Sequence, residues 1–275
     1  MTSRAFAFAV AGALLVAPRP ALATEPHELS HDDAPFLAAE LGGALATTLV
    51  LSLSAGGSET HCGWCGTDAL DVTIRDALYV HDSHRPALLS HVVSSGAAPV
   101  FALSVVIVPA LSSGHAAYAL ADSITIIDSA LVTFGMTTFA KNLAGRQRPA
   151  FHYGRQGETE YATKPSEQYR SFFSGDTSFA FSVLSSGATL AYERGYVTAP
   201  FAAAVGGVLG VATGTLRMMA DMHWFTDVLT GAVVGGATGV ALPLLLHPRK
   251  DRARDFSVTP ILAPGLTGAS ASGTF

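Results

Sequence analysis

Six apolar stretches, each about as long as a membrane-spanning helix of roughly 20 residues, constrain the fold of this chain. They lie near residues 35–54, 88–112, 115–140, 177–194, 198–219 and 225–247. Charged residues make up only 13% of the chain, about half of the roughly 25% found in soluble domains. No strand-like alternation of any length separates the stretches. We therefore predict an all-α fold, a membrane-embedded helical bundle of about five to six helices.

Small and acidic residues inside these stretches indicate how the helices pack. Gly and Ala are abundant, which suits close packing of helices in a bilayer. Asp122 and Asp128 lie within the third stretch, and acids at membrane depth face the bundle interior.

The net charge of -5 and a pI near 6.0 leave no basic stripe, so we expect no nucleic-acid partner.

The first residues are typical of an export signal. Arg4 precedes an apolar run at 5–17 and a small-residue site at 21–23. Because the run is short for a membrane span, we predict that residues 1–23 form a cleaved signal peptide and that the mature chain begins outside the cytoplasm. An uncleaved anchor helix is the alternative.

The only two cysteines are Cys62 and Cys65. In an exported chain this pair favours a small structural disulfide, although two free thiols remain an alternative. A redox role would need a thioredoxin-like βαβ context, which the surrounding sequence does not predict. We assign residues 24–87 to an N-terminal helix and this Cys-x-x-Cys loop, and residues 88–247 to the bundle.

Charge is concentrated in the loop 141–176 and just after the last helix. We expect the end of the chain, 248–275, to be a flexible tail. An exported N-terminus followed by three spans would put Lys141 in the cytoplasm, so we expect the first helix, which contains Glu40, to lie along or partly inside the bundle. The basic start of the tail would then be cytoplasmic and the site would face the periplasm from a bacterial inner membrane. A soluble periplasmic bundle is the alternative.

Polar residues at predicted helix ends form an anion site. Lys141 and Arg148 belong to a Lys-x6-Arg-Pro motif, Ser174 and Gly175 begin a helix, and Arg217 ends another. Arginine binds phosphate oxygens with two parallel hydrogen bonds. The N–H groups around Gly175 would donate to the same anion. The pattern predicts a phosphate-binding site.

His223 and Asp227 follow Arg217 and are four residues apart. On one helix they would share a face, so that the carboxylate accepts the Nδ1 proton and leaves Nε2 as a nucleophile. This predicts a phosphohistidine intermediate. Taken singly, each motif is more often a local hydrogen bond or a charge complementing a helix dipole. Their joint occurrence in this order favours a site.

The order Lys-x6-Arg-Pro, Ser-Gly, Arg-x5-His-x3-Asp resembles the type 2 phosphatidic acid phosphatase superfamily, which includes bacterial acid phosphatases and vanadium haloperoxidases. The resemblance covers roughly 88–247. It implies a helical bundle with the motifs at one end, where phosphate esters or diphosphates are hydrolysed without a metal or other cofactor. It also implies His223 as the nucleophile and Asp227 as its orienting carboxylate. The implied phosphate-binding residues are Lys141, Arg148, Ser174, Gly175 and Arg217.

Asp176 departs from the family pattern. The second family motif is Pro-Ser-Gly-His, and its His protonates the leaving oxygen, whereas this chain has Phe173-Ser174-Gly175-Asp176. By itself an Asp here predicts a helix cap. Nearby cations favour its ionised form, and bound phosphate opposes it. Three outcomes stay open: a weakened or leaving-group-selective enzyme, a normal enzyme with Asp176 as the catalytic acid, and a protein that binds phosphate without turnover.

These patterns predict an exported membrane phosphatase whose substrate is a phosphorylated lipid, or alternatively a small phosphate ester. A catalytically inactive lipid-phosphate-binding pseudophosphatase is the second hypothesis, and a vanadate-dependent haloperoxidase is less favoured. Asp221 lies outside the shared motifs, and we expect it behind the site or on the surface.

Overall fold

A computed structural model describes residues 25–54, 62–155, 165–250, 257–263 and 266–272. The predicted signal peptide, 1–23, lies outside the described residues. The helices are α1 (Ala34–Ser54), α2 (Ala69–Leu78), α3 (His84–Val92), α4 (Ala98–Ser112), α5 (Ala116–Ala144), α6 (Pro149–His152), α7 (Gly175–Glu193), α8 (Ala199–Met219) and α9 (Phe225–Leu246). A π-helical turn at Val93–Ala97 joins α3 to α4, and a 3₁₀ turn at Pro165–Glu167 lies between α6 and α7. Two strands, β1 (Ser257–Ala263) and β2 (Leu266–Ser272), pair antiparallel with Ser257 opposite Ser272.

Helix α7 lies at the centre of the bundle and packs against α4, α5, α8 and α9. Its contact with α9 is very close because glycines recur every four residues along the facing side of α9. A Cβ added at Gly235 would stand 2.0 Å from the carbonyl oxygen of Ser178, and one at Gly239 would stand 2.2 Å from that of Ser182. Small residues thus allow the two backbones to touch, as in other bilayer bundles.

The outer surface of the bundle is apolar. Among the described residues, five helical segments have the length and composition to cross a membrane: Ala34–Ser54, His84–Ser112, Ala116–Ala144, Ala199–Met219 and Phe225–Leu246. Large apolar side chains on their outer faces are open to the surroundings, with Val208 68% and Leu245 74% exposed. The predicted all-α membrane bundle is therefore confirmed, and its surface associates it with a membrane.

A buried polar network closes the end of the bundle opposite α2. We call this end of the bundle the terminal end. Arg194 pairs with Asp32 at 2.9 Å and with Asp122 at 2.7 Å. His247 Nε2 lies 2.9 Å from Glu40. These contacts hold the segment before α1 and the end of α9 to the α7–α8 connection. Helix α1 packs along α5, with its Glu40 buried.

The boundary placed from the sequence at residue 87 lies inside α3. In the predicted tail after residue 247, Lys250 bonds Glu28 at 2.9 Å, and the two strands follow it. The helix predicted from 177 begins at Gly175.

We predict that Gly235→Ala lowers the free energy of unfolding by about 1–3 kcal/mol, the usual cost of overpacking, because its methyl group would overlap the backbone of α7. Thermal unfolding in detergent measures the effect. Gly236→Ala is the matched control, since the nearest atom to its added Cβ is Ser185 Oγ at 3.8 Å. Equal midpoints for the two variants would contradict the proposed α7–α9 contact.

Candidate active site

The predicted site residues converge at the end of the bundle opposite the terminal end. Lys141 comes from the last turn of α5, Gly175 from the start of α7 and Arg217 from the last turn of α8. Arg148 precedes α6, and His223 lies in the connection from α8 to α9. A cavity of about 350 Å³ lies beside α5 and the start of α7 and is lined by Ser95, Thr133, Phe134, Thr137, Thr138, Lys141, Arg170, Gly175, Asp176, Ser178 and Phe179. Arg148, Arg217 and His223 are not among its lining residues.

The imidazole of His223 is buried and held in one tautomer. Its Nδ1 lies 2.8 Å from the carbonyl oxygen of Ser171, so Nδ1 carries the proton and donates it. Its Nε2 lies 3.3 Å from Arg148 Nη1. Burial lowers the pKa of His223 well below its usual range, and the charges of Arg148 and Arg217 lower the pKa further. His223 is therefore neutral near pH 7, with a lone pair on Nε2.

The expected direct bond from Asp227 to His223 is not formed. The carboxylate oxygen lies 3.7 Å from Nδ1, which is too long for a hydrogen bond. The i,i+4 argument fails because His223 precedes α9 and Trp224 between them is extended. Asp227 instead accepts the Trp224 N–H at 2.9 Å and the Ser171 hydroxyl at 2.5 Å. Ser171 therefore links the carboxylate to the imidazole through its own hydroxyl and carbonyl groups.

Arg146, which we did not predict as a site residue, connects Asp227 to the N-terminal part of the chain. Its side chain is 1% exposed and contacts Asp71 and Asp227, each at 2.5 Å. Its guanidinium lies 3.9 Å from the ring centroid of Trp64. Trp64 belongs to the loop closed by the Cys62–Cys65 disulfide. This loop and α2 thus support the site from behind.

Helix α2 also holds the connection between α8 and α9. Arg75 donates two hydrogen bonds to Asp221, at 2.7 and 2.8 Å. Asp221 is buried and has a left-handed backbone with φ of 59°. It lies behind the site, one of the two expected places, and not on the surface.

The candidate phosphate ligands differ in how they are engaged. Arg148 pairs with Glu167 at 2.7 Å. Burial alone would raise the pKa of Glu167, but the charges of Arg148 and Lys141 and the hydrogen bond from Arg148 together hold that pKa below its usual range. The Ser174 hydroxyl contacts that of Thr177 at 2.8 Å, so a local partner occupies it. Among the described residues, the buried Arg217 Nε has no hydrogen-bond partner, which leaves it available to an anion.

The prediction that Asp176 caps α7 is wrong, because Ser174 occupies the cap position and Asp176 lies in the first turn. Asp176 faces the site instead. Its Oδ2 is 3.2 Å from Arg217 Nη2, and its Oδ1 accepts the Ser94 hydroxyl at 3.0 Å. This environment stabilises the ionised carboxylate, which cannot donate a proton.

The fold and site together define a membrane-associated helical bundle with cationic side chains beside a neutral histidine. The model of the PAP2 superfamily matches residues 117–251, which contain every motif residue from Lys141 to Asp227. This match confirms the resemblance to the superfamily over that segment and supports a phosphatase-type or related function. Neither a curated protein nor a solved structure gives a significant match to the chain.

Sequence reasoning missed Asp71, Arg146, Glu167 and Ser171. Helix α2 had a local signal, because the Asp68 side chain caps it by accepting the Asp71 N–H, as Asp before an apolar-periodic run predicts. The other three have no distinguishing local pattern, since tertiary contacts alone create their roles.

We predict that Asp71→Asn lowers the free energy of unfolding by up to about 3–5 kcal/mol, the cost of breaking a buried ion pair, because Arg146 keeps only Asp227 as a charged partner. Thermal unfolding in detergent measures the loss. Asp76→Asn on the same helix is the control. Asp76 is 60% exposed in its pair with Arg75, and exposed pairs contribute at most about 1 kcal/mol. If Asp71→Asn is no more damaging than the control, the buried link to Arg146 does not support the site.

Proposed function

We propose that the protein is a phosphatase that hydrolyses lipid phosphates or diphosphates through a phosphohistidine at His223. The observation that carries the proposal is the neutral imidazole whose Nε2 lies 3.3 Å from Arg148 Nη1. A nucleophilic nitrogen beside a bidentate phosphate donor is the arrangement that phosphoryl transfer to histidine requires.

The residues of the site suggest the following order of reaction steps. The substrate phosphate replaces the Glu167 carboxylate at Arg148 and also binds Arg217, Lys141 and the N–H groups at the start of α7. Nε2 attacks phosphorus, the bond to the leaving oxygen breaks, and water then hydrolyses the phosphohistidine. Fixed positive charges stabilise the charge that develops on the phosphoryl oxygens. Asp227 acts as a positioning residue, because it reaches His223 through Ser171.

A lipid substrate is supported by the walls of the cavity. Phe134 and Phe179 line it together with Lys141 and Gly175, and Phe134 is 61% exposed on the outer face of the bundle. An acyl chain can therefore remain in the apolar surroundings while its phosphate reaches the cationic residues. This combination of apolar and cationic walls supports a phosphorylated lipid as the substrate.

A pseudophosphatase that binds lipid phosphates without turnover is the second candidate. It is favoured by the ion pair between Asp176 and Arg217 at 3.2 Å, because that pair occupies a phosphate ligand and leaves an ionised carboxylate where the family has its acid. The two candidates share the proposed phosphate-binding site and differ only in whether the bound phosphate is hydrolysed.

We predict that the purified protein releases phosphate from phosphatidate, polyprenyl diphosphate or 4-nitrophenyl phosphate, and that His223→Ala abolishes this release. Loss of the nucleophile should leave binding of phosphatidate vesicles, measured by flotation, in place. Arg217→Gln is the comparison variant and should weaken both. Saturable vesicle binding with no phosphate release by the unmodified protein on any substrate would establish the pseudophosphatase instead.

We also propose that the site faces the periplasm of a bacterial inner membrane. The site and the terminal end are at opposite ends of the bundle, so placing the basic residues after α9 in the cytoplasm places the site outside. If α1 crosses the membrane with α5, residue 25 is also cytoplasmic. This arrangement is incompatible with the cleaved signal predicted from sequence.

Impermeant maleimide labelling in intact cells tests the orientation. Asp82→Cys lies at the site end and Glu28→Cys at the terminal end, and the native side chains are 62% and 63% exposed. We predict that Asp82→Cys reacts in intact cells and that Glu28→Cys reacts only after permeabilisation, with the unmodified protein as baseline. The reverse pattern would place the site in the cytoplasm.

A further inference from the structure

A segment that precedes the family-matched region contacts two of its motif residues. Helix α3 and the π-turn end before residue 98, whereas the match begins at residue 117. From this segment, Ser90 Oγ lies 3.4 Å from Arg217 Nη1, and Ser94 Oγ donates to Asp176 at 3.0 Å. The α3 segment is therefore part of the site wall.

The same face of this segment carries an imidazole. His91 Nδ1 lies 3.5 Å from Asp176 Oδ1 and 3.5 Å from Ser95 Oγ. Residues three and four apart share one side of a helix, which is why His91, Ser94 and Ser95 all face Asp176. Helical π-turns are frequent at functional sites. The ring thus lies beside a carboxylate that lines the cavity.

Asp176 cannot supply the proton that a poor leaving group needs. Arg217 and Ser94 both stabilise its ionised form. His91 can supply that proton, because it is 59% exposed and its Nε2 has no hydrogen-bond partner among the described residues. An imidazole with a carboxylate beside Nδ1 and with Nε2 open is an arrangement suited to acid–base catalysis.

We propose that His91 is the general acid of this site and that Asp176 orients it, so that a histidine on α3 replaces the one absent from position 176. The proposal rests on the proposed phosphatase function. As the phosphorus–oxygen bond breaks, its electron pair passes to the leaving oxygen, which takes the Nε2 proton of the His91 imidazolium. Neutral His91 then accepts a proton from the water that attacks the phosphohistidine, and phosphate is released.

Leaving-group dependence separates an acid from a residue that only balances the charge of Asp176. Loss of a general acid costs on the order of 10²–10⁴-fold when an alkoxide must leave. It costs little when the leaving group is a 4-nitrophenolate, which departs without a proton. Loss of a charge partner would instead affect both substrates through the same phosphate-binding residues.

The test compares His91→Gln with the unmodified protein on an alkyl phosphate monoester and on 4-nitrophenyl phosphate. Glutamine keeps a polar group beside Asp176 but cannot act as an acid. We expect kcat/KM to fall by about 10²-fold or more on the alkyl ester and by less than about threefold on the aryl ester. His84→Gln, on the exposed start of the same helix, is the matched control and should change neither.

A double variant tests whether a histidine at position 176 can replace His91 as the general acid. Asp176→His restores the family residue, so we expect Asp176→His combined with His91→Gln to regain alkyl-ester hydrolysis relative to His91→Gln alone. Equal losses on both substrates for His91→Gln, or no loss on the alkyl ester, would overturn the role of His91 while leaving the phosphatase intact. No turnover of either substrate by the unmodified protein would instead overturn the proposed function, and this inference with it.

Discussion

The buried guanidinium of Arg146 is the contact on which the site depends. It joins Asp71 of α2 to Asp227 of α9, with 2.5 Å to each carboxylate. Buried charges are tolerated only when they are paired and hydrogen-bonded, so the three side chains fix one another. Because Asp227 also accepts the Ser171 hydroxyl, and Ser171 holds the imidazole of His223, the orientation of the proposed nucleophile depends on this pairing.

The phosphate-binding side of the proposed site, in contrast to the paired charges around Arg146, carries an excess of positive charge. Lys141, Arg148 and Arg217 are brought together at helix ends, and the carboxylates of Glu167 and Asp176 balance only part of their charge. Mutual repulsion among cations in a buried place is unfavourable until an anion binds. A phosphate group provides several acceptor oxygens for these donors at once. The arrangement therefore favours a phosphorylated ligand over a neutral one, and the apolar surface beside it favours a lipid.

Sequence alone predicted the helices that carry long apolar runs, because burial in a bilayer requires such runs and soluble folds seldom contain them. The resemblance to the superfamily implied that the motif residues from Lys141 to Asp227 would meet at one end. Sequence reasoning failed at His223 and Asp227, where a helical spacing was assumed for a residue that precedes the helix. It failed to distinguish Arg146 from its neighbours in a charged loop, since its partner Asp71 is 75 residues away. Long-range pairings of this kind leave no local pattern.

Trapping the covalent intermediate is the decisive test of His223 as the nucleophile. The protein is mixed with a ³²P-labelled diphosphate substrate, quenched in base during turnover, and digested for peptide mapping. A phosphohistidine mechanism predicts label on the peptide containing His223, stable in base, lost in acid, and absent from His223→Gln. Label on a serine or an aspartate, or turnover without any covalent label, would contradict it.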